Sequence, residues 1–111
     1  DMANTFKNEY YDITASLATA YTAPTGSGDV AIILTCRITN VDGANDATVT
    51  AQVYTDGSND AHIAYTMTVP ADSSIELAGT SKIVLKASDV LKLQASTASD
   101  LEAFISVLEI T

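Results

Sequence analysis

Cys36, His62 and Arg37 are the only cysteine, histidine and arginine in this 111-residue chain, and they are the side chains best suited to act as nucleophile, base and anion anchor. Nucleophilic catalysis needs the base within reach of the nucleophile and a third group to orient the base. His62 stands beside Asp60 at the start of a strand-like run, in no Gly-x-Ser-x-Gly setting, and reads as a surface or sheet-edge residue. Cys36 falls in the apolar register of a strand, where a thiol behaves as a small buried hydrophobe. One histidine and one cysteine cannot complete a four-ligand zinc site. A lone cysteine also forms no internal disulfide, which fits synthesis in a reducing cytoplasm. The chain therefore reads as non-enzymatic, with no catalytic, cofactor-binding or metal residues assigned.

Oxygen-rich stretches are the next candidates. Asp42 to Asp46 and Asp56 to Asp60 each carry carboxylate and amide oxygens a few residues apart, as a calcium loop would, but neither has the 12-residue spacing that ends in a bidentate glutamate. Turn formation is the simpler role for both. Asp100 and Glu102 at period two read as a solvated face. No phosphate-binding Gly-x-x-x-x-Gly-Lys loop is present. Tyr10, Tyr11, Tyr21, Tyr54 and Tyr65 could in principle stack a sugar, as in a carbohydrate-binding sandwich. Tyr54 and Tyr65 are more simply a cross-strand pair flanking the Asp56 turn.

Composition narrows the partners. With 5 basic against 14 acidic residues the net charge is −9, which repels phosphate backbones and anionic membrane surfaces, so neither nucleic acid nor membrane is expected as a partner. The longest apolar run, Val30 to Leu34, is far too short to span a bilayer as a helix. Asp1 ahead of Met2 reads as a remnant before a native start, which leads us to expect no processed leader. A chain this long with 47% apolar residues can bury one core.

The elements that must hold these residues read as short strands. Val30, Ile32, Leu34, Cys36 and Ile38 share one face at period two, and Val49, Ala51 and Val53 alternate with Thr48, Thr50 and Gln52, so Val30 to Asp56 reads as one long hairpin closed by Asp42 to Asp46. On that reading Leu34→Ala removes a buried side chain at a cost of about 2 to 5 kcal/mol, and Thr35→Ala costs far less. Asp56 to Asp60 closes a second hairpin into Ala61 to Val69. Further strands follow at Ile75 to Leu77, Lys82 to Lys86 and Val90 to Ser96, separated by turns rich in proline, glycine, serine and aspartate.

The last segment is ambiguous by periodicity. Leu101, Phe104, Ile105 and Leu108 fit helical spacing, with Ser99 to Glu102 as a capping box, whereas Leu101, Ala103, Ile105 and Val107 fit one face of a strand with Phe104, Leu108 and Ile110 on the other. Residues 100–110 are expected to be a strand, because every preceding element is one. About eight strands joined by short turns give an all-β fold, an antiparallel β-sandwich of jelly-roll type. Its core domain is expected over 18–111, preceded at 1–17 by an N-terminal arm or edge segment. Phe6, Tyr10, Tyr11 and Tyr21 are the candidate subunit contacts, since a terminal segment stays ordered only when something ties it down.

The ordering of short motifs adds a resemblance. Thr39 to Gly43 after an apolar strand, Ala47 to Thr50, Val69 to Leu77, Lys82 to Ser96 and Val107 to Ile110 together resemble small virion proteins of tailed bacteriophages, over roughly residues 18 to 111. Asp72 and Ser88 stand where that pattern more often has glycine, so those two turns are expected to differ in type. The resemblance implies an all-β sandwich located in the virion. It would act as a capsid decoration (cement) protein or a neck or tail component, through contacts with other virion proteins; the alternative is a carbohydrate- or receptor-binding β-sandwich of a phage tail fibre. A homo-oligomer, with a trimer favoured, would suit that role.

Overall fold

The computed structural model describes residues 3–55 and 59–111. Nine strands form: β1 (Asn4–Asp12), β2 (Ala18–Thr22), β3 (Val30–Asn40), β4 (Ala47–Thr55), β5 (Asn59–Val69), β6 (Ser74–Glu76), β7 (Ile83–Lys86), β8 (Val90–Ala95) and β9 (Leu101–Ile110). They make two antiparallel sheets. One runs β1-β9-β3 with β6 and β7 sharing the far side of β3, and the other runs β2-β8-β4-β5. If β6 and β7 are counted as one broken strand, this is the jelly-roll order, in which consecutive strands repeatedly cross between sheets. Residues 101–110 are a strand, and alternation along it buries Leu101, Ala103, Ile105 and Val107.

Two readings of the central stretch are corrected. β3 and β4 do not form a hairpin: β3 pairs with β9 in one sheet and β4 with β5 and β8 in the other, so Val41 to Asp46 is an arch between sheets. Asn40, at 2% exposure, secures the arch. Its amide donates to Asn45 O at 3.0 Å and Val69 O at 2.9 Å, and its Oδ1 accepts from Asp42 N at 2.8 Å. These bonds occupy a buried polar side chain where a two-residue hairpin turn would need none.

The second correction concerns faces. A register shift between Ile33 and Thr35 makes Leu34 a bulge, so Ala31 and Ile33 face inward before it and Cys36, Ile38 and Asn40 after it. Val30, Ile32 and Leu34 therefore lie on the outer side, half-buried, because an extra residue reverses the alternation. The β4–β5 hairpin forms, with Thr55 opposite Asn59, while the tip of the Asp56 to Asp60 turn lies outside the described residues.

Asp72 and Ser88 have φ of 60° and 69°. Both residues thus take the left-handed backbone that glycine favours.

Candidate assembly surface

β1 pairs with β9 along its whole length, from Asn4 opposite Ile110 to Asp12 opposite Glu102, and forms an edge of its sheet. Residues directly opposite in an antiparallel pair share a face. The registers therefore build rows across the outer surface of this sheet. One row is Phe6, Leu108, Ile32 and Val84, apolar through all four strands and about 14 Å wide at the usual strand spacing. Asn4, Ile110, Val30 and Lys86 flank it on one side, and Tyr10, Phe104, Arg37 and Glu76 form a further row. Phe6 is 73% exposed, Val84 62%, Tyr10 62% and Phe104 47%, so the apolar face is open to solvent.

The outer face of the other sheet is built differently. Thr48 sits opposite Thr68, Thr50 opposite Gln94, and Gln52 opposite both His62 and Lys92. Lys92 Nζ lies 4.5 Å from the Tyr54 ring centre, and His62 packs edge-on against Tyr65 at 5.0 Å. Apart from Tyr65, which is 71% exposed at the β5 edge, threonine, glutamine and lysine make this a hydrated face, whereas contiguous exposed apolar area marks an interaction surface.

Polar groups fix the rims of the apolar face. Tyr10 Oη donates to Asp12 Oδ1 at 2.5 Å and to Glu102 Oε2 at 3.2 Å; the Asp12 bond, with the negative charge around it, pushes the phenol up to about 12. On the opposite rim Glu76 Oε2 accepts the N–H of Cys36, Ala78 and Gly79 at 2.6, 3.1 and 3.2 Å, with Arg37 3.8 Å from its other oxygen. Partial burial raises this carboxyl, but the three N–H groups and the guanidinium outweigh it and the net shift is downward. Glu76 thereby seals the edge of β3 where the Leu34 bulge interrupts pairing between β6 and β7.

The candidate residues separate. Phe6 and Tyr10 lie on the apolar face, and Tyr11 is half-buried on the inner side of β1. Tyr21 is 5% exposed and bonded to Glu109, so it belongs to the core and offers no surface for a subunit contact. Tyr54 and Tyr65 do not face each other: Tyr54 is opposite Asp60, and a bulge displaces Tyr65. The tyrosines consequently occupy different faces and make no single stacking platform. Cys36 is fully buried in one sheet, where burial and then the Glu76 charge push its thiol up to about 12, and His62 is exposed on the other sheet. Asp42 spends its Oδ1 on the N–H of Ala44 and Asn45, and Asp46 accepts from Ala71 N, which is turn and arch chemistry. The apolar outer row was missed by sequence reasoning, although Phe104, Leu108 and Ile110 had already been placed on the second face of β9.

The architecture is a two-sheet jelly roll with one apolar outer face. No protein-family model and no curated protein matches the sequence. Among solved structures, the fold is similar to a chain of Bacillus endospore appendages, described as disulfide-linked pili (TM-score 0.59, 15% identity, covering 99% of this chain and 88% of that one). It is also similar to a chain of the acid-stable capsid of a Helicobacter pylori bacteriophage (TM-score 0.53, 12% identity, 100% and 92%). A third is a chain of infectious bursal disease virus (TM-score 0.55, 12% identity, 99% and 32%), of which this chain spans about a third.

Proposed function

We propose that this protein is a non-enzymatic structural component of a bacteriophage virion, a capsid decoration protein or a neck or tail component. It works by seating the apolar outer face of the β1-β9-β3 sheet on a neighbouring virion protein. The observation that carries the reading is the contrast between the two outer faces: Phe6, Leu108, Ile32 and Val84 across one, threonine and glutamine across the other. Burying one face and hydrating the other is what a domain laid flat on a particle requires. The fold shared with a chain of a bacteriophage capsid and a chain of infectious bursal disease virus supports it. A disulfide-linked pilus is less well supported, because Cys36, the single cysteine, is fully buried.

The test is loading onto particles of the phage that encodes the chain. Wild-type protein should co-sediment with them at a fixed stoichiometry. Val84→Asp, at an exposed position whose backbone pairing with β3 is kept, should fold and fail to load. Absence of the chain from purified particles, or equal loading of Val84→Asp, would count against the proposal.

A further inference from the structure

Sheet edges are templates for another strand unless something blunts them. Three of the four edges are blunted. β2 has a register shift between Thr19 and Tyr21. β5 carries two shifts and a threonine, Thr66, at φ 44°. β6 and β7 are three and four residues long, split by a turn. β1 is different: nine consecutive residues pair with β9 without a single shift.

The backbone of β1 shows which groups its open side offers. Ala3 and Thr111 exchange both hydrogen bonds, 2.7 and 2.9 Å, and Ile13 N donates to Leu101 O. Antiparallel ladders alternate, so Thr5, Lys7, Glu9 and Tyr11 also bond to β9. Asn4, Phe6, Asn8, Tyr10 and Asp12 therefore aim their N–H and C=O groups away from the sheet.

We infer that this edge pairs with the same edge of a second copy, antiparallel about a two-fold axis through Asn8. In that register Asn8 meets the partner's Asn8, Phe6 meets the partner's Tyr10, and Lys7 meets the partner's Glu9. The outward-aimed residues bond one another, as the ladder demands, and the lysine–glutamate pair occurs twice in the dimer, once for each lysine. Charge selects this register. Sliding the axis to residue 7 sets Lys7 on Lys7, and sliding it to residue 9 sets Glu9 on Glu9, each a like-charge pair. Lys7 already lies 3.2 Å from Glu109 of its own chain, which holds it at the edge. Pairing joins the two sheets into one and carries the apolar face across the axis, since Phe6 and Tyr10 lie on that face. The inference rests on the β1 edge and stands apart from the identity of the virion partner.

Sedimentation equilibrium of the full chain tests it. Wild type should be a dimer at micromolar concentration. Asn8→Pro removes an N–H that does not serve the β1–β9 ladder, so it should give a monomer that still folds. Glu9→Lys should weaken association about tenfold by facing Lys7 with lysine. A wild-type monomer, a stable trimer, an Asn8→Pro dimer, or a Glu9→Lys variant that associates as tightly as wild type would each overturn the inference.

Discussion

Tyr21 Oη on β2 donates to Glu109 Oε2 on β9 at 2.5 Å, linking the two sheets through a tyrosine that is 5% exposed and a glutamate that is 8% exposed. Lys7 Nζ, 3.2 Å from the other carboxylate oxygen, ties the edge strand β1 into the same group. A carboxylate this enclosed needs both partners, because an unsatisfied buried charge costs more than the bond itself contributes.

Tyr21→Phe should therefore destabilise the fold by about 1 to 3 kcal/mol, measured by urea unfolding at pH 7. The pH dependence carries a second signature. Burial, followed by the bond to Glu109 and its charge, raises the Tyr21 phenol above its ordinary 10.0. The folded state thus keeps the proton longer than the unfolded chain does, so this contribution is complete below about pH 10 and is lost as the pH climbs through the raised folded value. Tyr10 is raised as well, to about 12, so the comparison belongs in a Tyr10→Phe background. There, alkaline loss of stability should be visibly shallower once Tyr21 is also phenylalanine; an unchanged slope would place the titration elsewhere.

Ile33 and Leu34 are neighbours with opposite fates. Ile33 is fully buried, whereas Leu34 sits half-buried at the bulge. Ile33→Ala should cost about 2 to 5 kcal/mol and Leu34→Ala clearly less, in the same denaturant series. Equal losses would mean that the bulge does not reverse the faces of β3.

These two residues also show where the sequence was legible. Strand periodicity identified β8 and β9 and the alternate burial of Leu101 to Val107, because the inner face of each is apolar over that stretch; β5 was legible as a strand but not in its faces, since its two bulges leave Tyr65 and Met67 exposed. β3 defeated the same reasoning, since Val30, Ile32 and Leu34 are as apolar as the residues that face the core. That excess was the trace of the apolar outer face, and without the bulge nothing in the pattern chooses between the two sides. The arch at Val41 to Asp46 was hidden for another reason: an Asp- and Gly-rich connection suits a hairpin locally, and only the distant acceptor Val69 O shows that Asn40 ties sheet to sheet. Tyr21 was assigned to a surface because its acceptor, Glu109, lies 88 residues away in sequence.

Glu76 should make the fold sensitive to acid. Its carboxyl is held below the ordinary value of 4.5, so the stability it confers is complete above that value and is lost as the pH falls through the lower folded one. Glu76→Gln keeps the shape but weakens three bonds from backbone N–H groups and the pairing with Arg37. The variant should melt earlier at pH 7 than wild type, and the gap should close as both are titrated below pH 4. A gap that persists there would assign the effect to packing of the side chain instead of its charge.

Ser88 presents the opposite opportunity, a stabilising change. Its φ of 69° places a side chain in the left-handed region, at a strain of about 1 to 2 kcal/mol. Its N–H donates to Pro24 O at 3.0 Å and the next residue, Asp89, bonds back to Lys86 on both its N–H and carboxylate, so the turn cannot relax without losing contacts that join β7 to the end of β2. Glycine takes the same conformation without strain and donates the same N–H, while giving up about 0.5 to 1 kcal/mol to the freer unfolded chain. Ser88→Gly should accordingly gain about 0.5 to 1 kcal/mol in the urea midpoint, and Ser88→Val, β-branched at the same φ, should lose stability. Asp72, at φ 60°, should gain less from glycine, because aspartate tolerates the left-handed region better than serine or valine does.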